Sequence, residues 1–309
     1  MGTRQQAKLP RVGVIANGSP DSLFEAVRQS FAQHGYVEGR NIVIEARFAE
    51  GHLDRVPEFI AEFVGLNVDI IVSLGAVGPA AAQKANTRLP VVFVAVIDPV
   101  AVGLAATMER PGGNITGITT FDPQQATKQL ELLKQVVPNL ARLAILSDED
   151  IPRAEGWNPL EKTNDTAARA LGLRPQWLKI KGPIPDLEGA FTAMRNERAE
   201  ALLVLDVPIP IIHQKQIAEL AATYRLPTMF LGGRRMSEAG GLIAYGAGLL
   251  DTLQRIPVYV EKILGGAKPG DLPIEVLKQP ILIFNLKAAR TIGITIPPEL
   301  LKRADQVVE

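Results

Sequence analysis

Cysteine is absent from the 309 residues, which removes disulfides, zinc–thiolate sites and thiol nucleophiles together. An excess of positive charge is absent too. The 33 Lys and Arg balance 33 Asp and Glu, so nothing favours holding phosphates by counterion release, and nucleic acid is not an expected partner. Apolar runs such as Val91 to Val96 fall far short of the roughly 20 residues a membrane span requires; they read as strands. Histidine is scarce. His34, His52 and His213 fall at a helix end, in a loop and at a helix start, with nothing beside them that assembles a metal site or a triad. No GxGxxG follows a strand, and there is no GK[ST], GxSxG or HExxH. These gaps favour binding over catalysis, and no cofactor or metal is called for. The opening MGTRQQAKLP also lacks the apolar core of a secretory signal. Either the protein is cytosolic, or a signal has given way to a Met-Gly scar.

What is present is a soluble globular composition, 47% hydrophobic and 21% charged, long enough that two lobes are expected in place of one growing core. Arg11 to Ala16 reads as a buried strand. After the turn Asn17-Gly18-Ser19-Pro20, Leu23, Val27 and Phe31 mark a helical stripe, with Ser19 suited to the N-cap and Pro20 to the first position. Strand and helix then alternate. Strands are expected at Ile42 to Phe48, Asp69 to Leu74, Val91 to Val96 and Ile115 to Thr120, with helices between them, including one from about Pro99. A second series follows Phe121. Its expected strands are Leu143 to Ser147, Gln176 to Ile180, Ala201 to Leu205, Thr228 to Leu231 and Leu242 to Tyr245; its helices include Gln124 to Val137 and Ile212 to Tyr224. Strands separated by single helices are parallel, so the pattern predicts two doubly wound α/β lobes. A long helix over Leu249 to Leu264 and a strand at Ile281 to Phe284 are too little for a third domain. They must complete the two lobes, so the chain crosses between them more than once.

Ligands of open α/β sheets bind beyond the carboxyl ends of the strands, which selects candidate residues loop by loop. Asn17, Gly18 and Ser19 follow the first strand. Gly75, Ala76 and Val77, with Gly78, open a helix whose bare N–H groups suit an anion; equally, small residues there would let the helix pack on the sheet. Asp98, before Pro99, is a helix cap or a partner for a ligand amine. Phe121 and Asp122 fall at the first crossing. Asp148 and Asp206 end strands of the second lobe, and Gly232 with Arg234 follows another. Trp157, in DEDIPRAEGWNP, is an aromatic wall or loop packing, and Tyr245 ends the last strand of the series.

Several segments resemble a known family. GYVEGRNIVIEARFAEG (Gly35 to Gly51), LPVVFVAVIDPVAVGL (Leu89 to Leu104), RPGGNITGIT (Arg110 to Thr119), EAGGLIAYGAGLLD (Glu238 to Asp251), YVEKILGGAKPGDLPIE (Tyr259 to Glu275) and NLKAARTIGITIPPELLKRADQVVE (Asn285 to Glu309) are similar to the ABC-transporter substrate-binding family that includes tryptophan- and other aromatic-amino-acid-binding members. The resemblance implies a type I periplasmic binding fold with a three-crossing hinge. One lobe would hold residues 1–119 with 247–275, and the other 120–246 with 276–309. It further implies a non-enzymatic extracytoplasmic receptor, acting as a monomer. Such a receptor closes on a small polar or zwitterionic ligand, an amino acid or related carboxylate, and delivers it to a permease, its only link to the membrane. Amino-acid-binding relatives carry hydroxyl residues at the helix start after the third strand, where GAVGPAAAQ has none, so a carboxylate would rest on backbone N–H groups. The competing class is a two-lobed transferase or isomerase with its site in the interlobe cleft.

Overall fold

The computed structural model of the chain describes residues 9–18, 22–151, 158–232, 239–247, 252–278 and 280–309. The chain divides into two compact units, Met1–Ile118 with Thr252–Glu275 and Thr119–Asp251 with Val276–Glu309. It therefore passes from one unit to the other three times.

In the first unit the strands are β1 (Arg11–Ala16), β2 (Val43–Phe48), β3 (Ile70–Leu74), β4 (Val91–Val94), β5 (Ile115–Thr119) and β11 (Glu275–Val276), lying in the order β11-β5-β4-β3-β1-β2. The ladders from β2 through β5 are parallel. β3, β4 and β5 are buried at every residue, as expected of a parallel sheet covered on both faces. β2 is half-buried throughout, without the alternation its sequence suggests, because it is the outer strand. Helices α1 (Ser22–Gln33), α2 (Val56–Gly65) and α3 (Val77–Lys84) link the strands. α2 lies so close to β1 that a Cβ on Gly13 would sit 2.6 Å from the Phe63 ring.

The second unit repeats the plan. Its strands are β6 (Arg142–Asp148), β7 (Arg174–Ile180), β8 (Ala201–Val204), β9 (Thr228–Leu231), β10 (Ile243–Ala247), β12 (Pro280–Asn285) and β13 (Gln306–Val308), in the order β13-β12-β10-β9-β8-β6-β7. Strands β6 to β10 run parallel, whereas β12 is antiparallel to β10. Helices α4 (Pro123–Val136), α5 (Pro159–Ala170), α6 (Leu187–Asn196), α7 (Pro208–Ile212) and α8 (Gln214–Thr223) connect them. Each unit thus contains the doubly wound order 2-1-3-4-5, with a topological switch point between its first and third strands.

Three expected helices differ. Nothing helical begins at Pro99: residues 99–103 form turns ended by Gly103 in the left-handed region at φ 74°. The helix expected over Ile212 to Tyr224 is α8 (Gln214–Thr223), starting two residues later because the separate short helix α7 (Pro208–Ile212) precedes it across a turn at His213. The helix expected over Leu249 to Leu264 is interrupted: among the described residues 252–253 are helical, 254–255 form a turn, and α9 (Ile256–Leu264) follows. Pro257, at the start of α9, has no N–H for an earlier carbonyl and crowds the preceding turn.

Candidate ligand-binding site

The switch point of the first unit brings together residues far apart in sequence. β1 and β3 are neighbours, so the turn after β1 meets the turn after β3. Gly75 adopts φ +115°, a left-handed conformation that strains any side chain. A Cβ there would lie 2.8 Å from Asn17 Nδ2, so the Asn17 amide is packed against the Gly75 backbone. The Gly75 N–H donates to Val94 O at 3.0 Å, and the Ser73 hydroxyl donates to Gly75 O at 3.0 Å. Gly78 packs on that same hydroxyl. The turn is therefore rigid. Asn17 and Gly18 are anchored as well: their carbonyls accept N–H bonds from Gly51 at 3.0 Å and Glu50 at 3.3 Å.

Helix α3 starts from this turn. Ala76 is its N-cap and supplies no side-chain hydrogen bond, so the N–H groups of the first turn and the positive end of the helix are left for an anion. Pro79, within that turn, contributes no donor. After the neighbouring strand β4, Asp98 is half-exposed and sits at φ 42°. Its Oδ1 accepts from Ala101 N at 3.0 Å and its carbonyl from Val102 N at 3.2 Å. Asp98 therefore caps a tight turn, not a helix.

In the second unit, Asp148 has no exposed surface. Its Oδ1 accepts from Asp150 N at 2.8 Å and its Oδ2 from Ile209 N at 2.9 Å. Both oxygens serve the protein, fixing the start of α7 to the end of β6. Asp206 is half-buried in the turn leading into α7. Gly232, at φ 131°, donates from its N–H to Tyr245 O at 3.4 Å, and Gly246 packs on its backbone. Tyr245 is only 4% exposed. The Lys128 ammonium stands 5.6 Å from its ring centroid and Gln129 Nε2 donates to its carbonyl at 3.0 Å. Phe121 and Asp122 lead into α4: Phe121 N donates to the Thr119 hydroxyl at 3.0 Å, and Asp122 is the N-cap, accepting from Gln124 N at 3.0 Å. Ser19, Trp157 and Arg234 lie outside the described residues.

Two residues not singled out from the sequence carry chemistry. Glu161 is fully buried, accepting from the Ser147 hydroxyl at 2.7 Å and from Asn158 N at 3.3 Å, with Lys179 Nζ at 3.3 Å. The signal was the capping-box spacing from Asn158 to Glu161. Gln125, in the first turn of α4, has a buried Nε2 with no acceptor, and no local pattern marks it. A cavity of about 580 Å³ also lies between β7 and α6, lined by Leu178, Lys181, Ile184 and Ala190 among others, at the edge of this unit and away from its switch point. Among the described residues no three His, Asp or Glu side chains converge as they would around a metal ion.

Two doubly wound units exchanging the chain three times define the fold class of the type I periplasmic binding proteins, and solved structures of leucine-binding and glucose-galactose-binding proteins share it. The family model for ABC transporter substrate binding proteins matches residues 11–308, and the chain belongs to that family. A tyrosine-binding protein of Clostridioides difficile (strain R20291) is 22% identical over 296 residues, covering 92% of this chain and 80% of that protein. A conserved domain protein from Vibrio cholerae O1 biovar El Tor superposes with a TM-score of 0.88 at 25% identity, covering 97% of this chain and 100% of that one. The ABC domain from Streptococcus pneumonia solved in complex with L-Trp gives a TM-score of 0.86 at 24% identity over the same shares. The chain is a substrate-binding protein for a small solute. Among its described residues no helix is long and apolar enough to cross a membrane.

Proposed function

We propose that this protein is an extracytoplasmic receptor for an amino acid or related carboxylate, which closes on its solute, leaves it chemically unchanged and presents it to an ABC permease. The observation that carries the reading is the Asn17–Gly75 contact at the start of α3, where a rigid turn, a side-chain amide and an uncapped helix end converge. A carboxylate placed there meets N–H donors and a favourable dipole without needing a cationic side chain. Asp98, half-exposed with one oxygen spent on its own turn, is the acceptor suited to an ammonium group. Phe121, Asp122 and Asp206 supply further surface at strand ends of the second unit.

The names of relatives support the same ligand class, since one is a tyrosine-binding protein and another was solved with L-Trp. A thermal-shift panel of L-tyrosine, L-tryptophan, L-leucine, benzoate and glucose tests the reading. A solute present at about 100 times its dissociation constant stabilises the folded state by about 2.7 kcal/mol. The expected result is an upward shift with one or more of the amino acids. A shift with glucose alone overturns the ligand class. Gly75→Ala, which forces a Cβ onto the Asn17 amide, should abolish the shift.

A further inference from the structure

We propose that Gln125 is a ligand-contacting residue whose Nε2 donates to an uncharged oxygen of the solute, so that the receptor selects solutes carrying a hydroxyl or carbonyl oxygen apart from their acid group. This rests on the receptor reading above and deepens it. The starting point is an imbalance in the polar interior. Of the buried side-chain atoms without a partner among the described residues, four are carbonyl oxygens, on Asn164, Gln176, Gln214 and Gln306; Gln125 Nε2 is a donor. A carbonyl short of one bond is tolerated, and at Asn164 and Gln176 the amide nitrogen is itself bonded, to Leu160 O and Ala193 O. Buried N–H donors left unpaired are rarer and costlier.

The position of that donor gives it a use. α4 ends at Val136 and leads into the amino end of β6 at Arg142, so α4 begins toward the carboxyl ends of the parallel strands. Gln129 holds the Tyr245 carbonyl of β10. Gln125 lies one turn earlier on the same helix face, about 6 Å further toward the strand ends at 1.5 Å per residue. Those ends are where ligands of this architecture bind. The neighbouring charge selects the kind of oxygen. Asp122 caps the same turn and its carbonyl receives Gln125 N at 3.0 Å. A second carboxylate beside that of Asp122 is repelled, whereas a phenol, hydroxyl or amide oxygen accepts from a neutral amide without penalty.

Calorimetric titration with L-tyrosine and with L-phenylalanine, which differ by one hydroxyl, and with L-glutamine and L-leucine tests the assignment on wild type, Gln125→Leu and Gln125→Glu. Wild type should prefer the oxygenated member of a pair. In Gln125→Leu that member should bind about tenfold more weakly, the loss of one desolvated hydrogen bond, and its oxygen-free partner should bind unchanged. Gln125→Glu, which accepts but does not donate, turns the bond round onto the solute's own O–H or N–H, so its preference for the oxygenated member should fall below that of wild type without vanishing. Unliganded Gln125→Leu should melt no lower than wild type, because an unpaired donor is removed. A wild type that binds without preferring the oxygenated solutes, or variants that bind as wild type does, overturns the role of Gln125 and leaves the receptor reading standing. A wild type that binds none of the four overturns the ligand class instead; the unliganded melting temperature then decides the residue, a fall in Gln125→Leu marking it as structural and overturning the assignment.

Discussion

Asp98 and Asp148 each lie at the carboxyl end of a strand, yet the structure gives them different work. Asp98 is half-exposed in the left-handed region with one oxygen on Ala101 N. Asn keeps that acceptor and tolerates the same backbone, so Asp98→Asn should alter unliganded stability by under about 0.5 kcal/mol while weakening amino-acid binding. Asp148 is fully buried with both oxygens on backbone N–H groups. Asp148→Ala strands the N–H groups of Asp150 and Ile209, each costing about 1–3 kcal/mol, and denaturant unfolding should record a loss of about 2–5 kcal/mol. Unfolding of Asp148→Ala at the wild-type midpoint would contradict this account of the carboxylate. Composition and strand-end placement rank the two aspartates alike. The difference comes from Ile209, 61 residues away from Asp148, and no local pattern carries it. Gln125 was invisible for the same reason, since an amide becomes informative only once its surroundings fail to satisfy it.

At the scale of elements, strands such as Val91–Val94 were legible because a parallel sheet covered on both faces writes itself as an unbroken apolar run. Helix α4 was legible, its cap Asp122 standing before Pro at the first turn. The turn after Asp98 and the start of α9 were not, since a single Gly103 and a single Pro257 outweigh the surrounding helical pattern. α9 also carries a strongly shifted tyrosine. The Tyr259 hydroxyl donates to Pro273 O at 2.6 Å; burial, then the charge of Glu275, pushes its pKa up to about 12. Glu275 is itself paired with Arg255 at 3.0 Å. These contacts hold α9 to the segment that ends the first unit. A phenol raised above its ordinary value near 10 favours the folded state fully below that pH, and the contribution is lost as pH climbs through about 12. Near-ultraviolet titration should show one of the four tyrosines ionising last, and Tyr259→Phe should remove that step. A titration whose last step survives in Tyr259→Phe would contradict the assignment.

For the whole molecule, the alternation of strand and helix made the two doubly wound parallel-sheet units legible, though not the 2-1-3-4-5 order of their strands. The antiparallel β12 was not legible either, because strand direction depends on which edge the chain reaches after α9. Balanced charge, 33 of each sign, gives the protein no net charge to attract an ionic solute from a distance, so on the proposed reading binding should vary little with salt. The most direct test of the receptor account is one calorimetric titration of the protein with L-tyrosine and L-tryptophan. One of them should give a saturable one-to-one heat that falls to the dilution baseline once the site is filled. Heat that keeps flowing after saturation would reveal turnover, and no binding heat from either would remove the ligand class; both outcomes contradict a receptor that encloses an amino acid and releases it unchanged.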